Sequence, residues 1–287
     1  MTRWKVGNVT ITKVVESSGD SPPHFMFPDL TPERVLSHSW LRPHFANEQG
    51  RLLASIHCFI IESEGKRIAV DTCVGNDKPR MVKAWNMLRG SFPEDLAAAG
   101  FPVDTIDTVL CTHLHVDHVG WNTRLEQGRW VPTFPRARYL FGRTEYAHWS
   151  AARDDEDARV MQDSVQPIVD AGLSTLVDSD HALTSEVRLE PTPGHTPGHV
   201  SVRISSQGRD AVITGDLMHH PIQCCEPSID ARFDVDPALA RETRVRFLER
   251  YGDQPVLVLG THFAAPTGGH LVRRGQAWEL DGVDPLP

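Results

Sequence analysis

Residues 111–121 read CTHLHVDHVGW. Four side chains in six positions, His113, His115, Asp117 and His118, are metal ligands by chemistry. Zinc takes imidazole nitrogen, thiolate and carboxylate, and a catalytic site keeps one position open for water. The stretch follows the short apolar run DTVL, so the ligands leave a strand and enter a loop. A loop can turn His113-x-His115 toward one ion and Asp117-His118 toward another, which a regular strand or helix does less easily. One histidine here could be an ordinary structural side chain. Four ligands after an apolar strand are poorly explained that way.

A metal centre built on this loop needs partners elsewhere, and three places offer them. EPTPGHTPGH (190–199) carries His195 in a Gly/Pro-rich loop between strands. VITGDLMHH (212–220) ends a strand at Asp216, and VLVLGTHF (256–263) ends one at His262. Each borders an apolar strand, as loop residues at one rim of a sheet do. A carboxylate such as Asp216 has two oxygens and can bridge two ions.

The rest of the chain sets bounds. Its 287 residues are 40% hydrophobic and 23% charged, which is globular composition and enough length for a large core. Net charge is 29 − 38 = −9, which argues against a general nucleic-acid binder. The five cysteines (Cys58, Cys73, Cys111, Cys224, Cys225) show no disulfide framework and no CxxC spacing. They read as reduced, mostly buried thiols. MTRWKVGNVTITKVVE (1–16) alternates and lacks a signal-type apolar core, and no apolar run is long enough for a bilayer. The expectation is a cytoplasmic protein without a membrane partner.

Strands and helices mix along the chain. WKVGNVTITKVVE reads as strands around a Gly-Asn turn. Residues 17–50 read as an N-terminal arm with one short helix, Thr31 as its N-cap and Pro32 in its first turn. The arm suits a dimer contact, a pocket cover, or packing on its own domain. LLASIHCFIIES and RIAVDTCVG read as buried strands. MVKAWNMLRG and FPEDLAAAGF read as helical, the second stopped by Gly100. ARYLFG is a strand followed by a helix. DEDARVMQDSVQPIVDAG is an acidic helical segment whose charges read as a solvated face. STLVD, VRLEPTPGH, HVSVRIS, DAVITGD and QPVLVLG read as strands. DPALARETRVRFLERYG is the clearest helix, with Asp236 as N-cap and Gly252 at its end. The tail pairs two strands around Arg274-Gly275. No linker or repeat interrupts residues 1–287, which read as one layered domain with two sheets inside and helices outside.

THLHVDH, PTPGHTPGH, TGD and GTHF, in this order, resemble the metallo-β-lactamase-fold hydrolases. The resemblance runs from about Phe59 to about Gly269. It implies an α/β (α+β) fold, a four-layer αββα sandwich. It also implies a ligand set: His113, His115 and His195 for a first ion, Asp117, His118 and His262 for a second, and Asp216 bridging. The implied cofactors are two divalent metal ions, zinc first, with manganese, iron or cobalt able to use the same ligands. Two such ions, about 3.5–4 Å apart, share a water whose hydroxide is the nucleophile. Asp117 is then also a candidate proton shuttle. Asp71 is either a group that orients a ligand histidine or its loop, or a simple turn cap. Cys111 is left as a core residue, and His199 as a structural histidine.

The opening strands, the 55–80 region and GDLMHHPIQ resemble the lactonase and organophosphate-hydrolase branch, in which a homodimer with an N-terminal arm is common. The implied substrate is a small-molecule ester, first a lactone of the quorum-signal type. Arylester or phosphotriester cleavage is the alternative. A tyrosine often contacts substrate where His219 stands, and His219 is a candidate oxyanion or leaving-group contact. A β-lactamase, a glyoxalase-type thioesterase, a diiron oxidoreductase, an RNA-processing nuclease and a non-catalytic binding protein rank below. Candidate pocket-wall residues, each of which could equally be core, are Phe25, Phe27, Trp40, Trp121, Ile222 and Phe263.

Overall fold

Strands β1 (Thr2–Val6), β2 (Val9–Ser21), β3 (Leu52–Ser63) and β4 (Lys66–Val70) form an antiparallel meander in the computed structural model, which describes residues 2–151 and 155–282. β5 (Thr108–Leu110) then pairs parallel to β4. β6 (Thr123–Glu126) and β7 (Arg129–Pro132) make a separate hairpin. β8 (Arg138–Gly142) and β9 (Ser174–Val177) continue the parallel edge and complete a seven-stranded sheet, order β1-β2-β3-β4-β5-β8-β9. β10 (Val187–Pro191), β11 (Val200–Ser206), β12 (Arg209–Ile213), β13 (Val256–Leu259), β14 (Gly268–Arg274) and β15 (Ala277–Gly282) form a six-stranded sheet in sequence order. Within it only β12 and β13 run parallel.

The central strands β3, β4, β5, β8, β12 and β13 carry consecutive buried residues because both faces are covered. On β3, Phe59 and Ile61 face the second sheet and pack with Ile11, Val202, Ile204, Ile213 and Leu259. Their neighbours Cys58 and Ile60 face the other way, toward Phe92 and Leu96. That period of two is the pleat itself.

The helices are α1 (Pro23–Met26), α2 (Pro32–Ser37), α3 (Phe92–Ala98), α4 (Arg143–Ser150), α5 (Asp155–Val160), α6 (Gln166–Asp170), α7 (Ile222–Cys225) and α8 (Pro237–Tyr251). A π-helical turn, Met161–Val165, joins α5 to α6. Leu96, Trp149, Val160 and Ile168 cover the outer face of the first sheet. Phe247, Leu248 and Tyr251 of α8 cover Val212, Val258 and Leu271 of the second. The result is the αββα order expected. α8 also starts as expected: Asp236 accepts from the Leu239 N–H at 3.0 Å and Pro237 occupies the first turn. Among the described residues no helix is long and apolar enough to cross a membrane.

Three expectations need correction. MVKAWNMLRG is not a helix but turns and irregular chain between Asp77 and Gly90. Tertiary burial overrides its local propensity. Lys78 and Arg80, just before it, have fully buried side chains against Asp163, with Arg80 donating to both carboxylate oxygens at 2.7 and 2.8 Å. Asp163 also corrects the acidic segment, whose charges do not all face solvent. In the arm, residues 17–21 extend β2, and two short helices plus a 3-10 turn, Ser39–Leu41, replace the single helix. Thr31 does cap α2, accepting from the Arg34 N–H at 3.3 Å. Phe27, Leu30, Val35, Leu41 and Phe45 put the arm into the chain's own second core, on Met218, Ile222 and Phe263.

Candidate metal centre

The loops that carry the candidate ligands leave the sheets at one rim. His113 to His118 follow β5, Asp216 follows β12, and His262 follows β13. β12 and β13 are parallel neighbours, Ile213 opposite Leu259, so their C-terminal loops emerge together. His195 lies in the turn between β10 and β11. Two contacts stitch the sheets at this rim: Val200 N–H donates to the Thr112 carbonyl at 3.1 Å, and Ser55 N–H to that of His262 at 3.1 Å. Gly120 allows the closest approach, since a Cβ there would sit 1.8 Å from the Val74 carbonyl oxygen.

All seven candidate ligands come together. His115 Nδ1 lies 3.1 Å from His113 Nε2 and 2.9 Å from His195 Nε2. In a second cluster, His262 Nε2 is 3.3 Å from His118 Nε2, and Asp117 reaches the two at 3.6 and 3.7 Å. Asp216 Oδ2 stands between the clusters. It is 3.2 Å from His262, 3.3 Å from His118, 3.7 Å from His195 and 3.8 Å from His113.

These spacings fit metal ions. Ligand atoms about 2.0–2.1 Å from a tetrahedral zinc lie roughly 3.3 Å from one another. A neutral imidazole has one N–H, so three ring nitrogens meeting at one point cannot all be satisfied by each other. Asp216 Oδ1 is buried and has no protein hydrogen-bond partner among the described residues. Burial holds the imidazoles of the first cluster neutral with their lone pairs free: it takes His113 and His195 well below the usual range and His115 down to about 3. In the second cluster the neighbouring carboxylates Asp216 and Asp117 outweigh burial and hold His118 well above that range and His262 above it. Asp216 resists burial because His262, His118 and His219 surround it and hold its carboxyl well below the ordinary value.

A second layer fixes the rings, as outer partners of metal ligands do. Asp71 accepts from the Thr112 N–H at 2.8 Å and the Thr112 hydroxyl at 2.9 Å, and its Oδ2 lies 3.0 Å from His118 Nδ1. Asp71 therefore caps the turn through hydrogen bonds and faces His118 as a charge partner. Asp234 Oδ1 is 2.9 Å from His195 Nδ1, and the wholly buried Arg244 stands 3.6 Å behind it. His199 is structural: its Nδ1 lies 2.8 Å from the Thr192 hydroxyl, and its Nε2 accepts from the Asp216 N–H at 2.8 Å. Glu145 accepts from the Leu114 N–H at 3.1 Å and the Gly198 N–H at 2.9 Å, joining two ligand loops. Asp234, Arg244 and Glu145 carry no motif, so sequence reasoning passed over them.

His219 also reaches the centre, its Nε2 3.4 Å from Asp216 Oδ2. Of the two readings of Trp121, wall or core, the structure places it in the core. It is buried, stacked on Phe92 with centroids 5.9 Å apart, and its indole N–H donates to Glu16. Phe27, Ile222 and Phe263 are likewise core, while Phe25 lies edge-on to the part-exposed Phe233. Trp40 is half-buried against Phe45. Cys111 is core, as expected, and among the five thiols only Cys225 is not fully buried.

Residues 53–279 match the metallo-beta-lactamase superfamily, and the chain belongs to it. The enzymes it resembles are hydrolases. It is 25% identical over 243 residues to the N-acyl homoserine lactonase AiiA of Bacillus thuringiensis subsp. kurstaki, covering 79% of this chain and 88% of that one. Among the solved structures that share the fold are two hydrolases. Hydrolase AbOPH superposes with a TM-score of 0.81 at 22% identity, over 100% of this chain and 98% of its own. The dizinc quorum-quenching lactonase AidC superposes with a TM-score of 0.80 at 18% identity, over 99% and 98%.

Proposed function

We propose that the chain is a dinuclear metal-dependent hydrolase of a small ester, foremost a lactone. One observation carries the reading: seven ligand side chains from four separate loops converge at ion-sharing distances. In this assignment His113, His115 and His195 hold one divalent cation, Asp117, His118 and His262 hold the other, and Asp216 serves both. Zinc suits this nitrogen and oxygen set. Such a pair, when bound, supplies an activated water and polarises the bond under attack.

The chain's own residues supply orientation and proton handling. Asp234 holds the far nitrogen of His195, which aims the near one, and Asp71 faces the far nitrogen of His118 as a charge partner. Asp117 is the most exposed of the carboxylates at the centre, at 13% of its side chain against 4% for Asp216. It is therefore placed to pass a proton to the leaving group. The likeness to acyl homoserine lactonases supports a lactone substrate. His219, in place of a tyrosine, favours the second reading, cleavage of aryl esters or phosphotriesters.

The test is a panel of acyl-homoserine lactones, simple aryl esters, a phosphotriester and a chromogenic β-lactam, run on wild type and Asp117→Asn alongside elemental analysis. Near two ions per chain and lactone turnover that collapses in the variant are expected. Turnover indifferent to Asp117→Asn would remove the two-metal reading.

A further inference from the structure

We infer that His219 is itself a ligand, through Nε2, to the ion that His195 holds. The inference rests on the metal-centre reading above and extends it. Three side chains, His195, Asp216 and His219, form a group whose ligand atoms lie within 4.8 Å of one another. The 3.4 Å from His219 Nε2 to Asp216 Oδ2 is long for a hydrogen bond from imidazole to carboxylate, which runs about 2.7–2.9 Å. It matches the roughly 3.3 Å between two atoms bound to one zinc. The contacts of His118 and His262 with the same oxygen, at 3.3 and 3.2 Å, have that character too.

The surroundings leave His219 little room to act as a mobile substrate contact. It is buried, with His195 at 4.8 Å between centroids, Phe27 edge-on at 6.4 Å and His262 parallel at 6.1 Å. Its backbone N–H donates to Gln223 Oε1 at 2.8 Å, and the Gln223 amide donates onward to the Ile229 carbonyl at 3.2 Å. Its Nδ1 has no hydrogen-bond partner among the described residues, so the ring is not held there by a bond at its far side. The next residue, His220, shows the contrast. Both its nitrogens are used, one 2.7 Å from the Phe45 carbonyl and one accepting from the Ile222 N–H at 3.1 Å. Of this histidine pair, one fastens the arm and the other faces the centre. A fourth imidazole would leave the first ion one position fewer for water than three histidines do.

The experiment compares wild type, His219→Gln and His219→Ala, each loaded with cobalt and titrated against a competing chelator. The expected result is a loss of at least tenfold in affinity at one site, with the other unchanged, and a shift of the cobalt d–d bands of the weakened site. The tenfold floor is what losing an outer partner alone costs. Gln keeps the side chain's bulk, so a folding failure of the Ala variant leaves the comparison intact. Wild-type affinities and spectra in the Gln variant, with KM alone changed, would overturn the inference and make His219 a substrate contact. A wild type that binds fewer than two cobalt ions would instead sink the underlying metal reading.

Discussion

Replacing Asp234 by asparagine removes one charge from a line of buried contacts that ends on His195. Asp234 meets three groups through its two oxygens, two by hydrogen bonds and one by charge. Oδ1 faces His195 Nδ1 at 2.9 Å, while Oδ2 accepts from the Ala231 N–H at 3.2 Å and lies 3.6 Å from Arg244. An amide keeps one acceptor oxygen and turns an NH2 toward the other donors, whichever way it flips. Two losses follow. Arg244, 0% exposed, loses its counter-charge, and breaking a buried pair from one side costs about 3–5 kcal/mol. The lower end applies, because Arg244 also donates to the carbonyls of Leu217, Pro227 and Ile229 at 3.1, 2.8 and 2.9 Å. Separately, His195 loses its orienting partner, worth 10–100-fold in metal affinity, or about 1.4–2.8 kcal/mol. Urea unfolding of metal-free protein reads the first loss alone. Metal-loaded protein reads both, since bound metal stabilises only the folded state. The expected destabilisation is about 3 kcal/mol without metal and about 1.4–2.8 kcal/mol more with it. Adding Arg244→Met to Asp234→Asn should recover most of the first loss and none of the second. Equal losses with and without metal, and an unchanged chelator titration, would refute the claim that Asp234 positions His195.

Three other measurements bear on the same structure. Lys78 is wedged between Thr123, Asp163 and the face of Trp130, and burial takes its pKa down to about 7 against the pull of Asp163. Between about 7 and the ordinary lysine value of 10.5 the folded chain has lost this proton while the unfolded chain keeps it. Stability should therefore rise with pH across that window, by at most about 1.4 kcal/mol per pH unit from this group. Lys78→Met should remove that part of the slope in denaturant titrations, leaving the contribution of Lys13, whose pKa burial lowers to about 8; an unchanged slope counts against it. Gly120→Ala drives a Cβ to 1.8 Å from the Val74 carbonyl oxygen, which no side-chain movement relieves. A loss of about 1–3 kcal/mol in thermal or urea unfolding is expected, with reduced metal content because the adjoining loop carries His118; a variant as stable as wild type and fully loaded would be contrary. Finally, native protein should react slowly with a disulfide reagent, at Cys225 alone, since burial keeps that thiol up at about 12 and encloses the other four. Cys225→Ser should abolish the slow phase, and fast labelling of several thiols would contradict the burial.

The convergence of the candidate ligands was legible because histidine clusters after apolar strands have few other uses. The strands were legible because two-sided burial writes continuous apolar runs, and α8 because Asp236, Pro237 and Gly252 mark its ends. What escaped was decided by tertiary contact. The helix expected over 81–90 fails because Lys78 and Arg80 are drawn under it to Asp163, a partner about eighty residues away. Glu16 sits where the β2–β3 register slips between Val15 and Ser17. Its carboxylate accepts from Val74 and Gly75 at 2.9 and 3.1 Å, and nothing local announces that target. Bulges commonly re-aim a side chain in this way. Asp234 lies in an acidic loop that resembles many solvated ones, and only the fold brings His195 to it.

These unannounced carboxylates share a physical logic that bears on how the centre forms. A buried carboxylate without donors is costly, so each one holds its donors in place. Glu16 fixes the Val74-Gly75 turn and Trp121, Asp71 fixes Thr112 and faces His118, Glu145 binds Leu114 to Gly198, and Asp234 joins Ala231, His195 and Arg244. None of the four belongs to the assigned ligand set, yet together they fasten the β5 loop and the His195 loop. Fastening by protein contacts means that the ligand loops are arranged before a cation arrives. Binding then orders few side chains, and the free energy of coordination is spent mainly against desolvation. A centre organised in this way should hold its histidine loops in the metal-free protein, with amide exchange at Leu114 and Gly198 slow in both states. Fast exchange there without metal would show that the ions, and not the buried carboxylates, build the site.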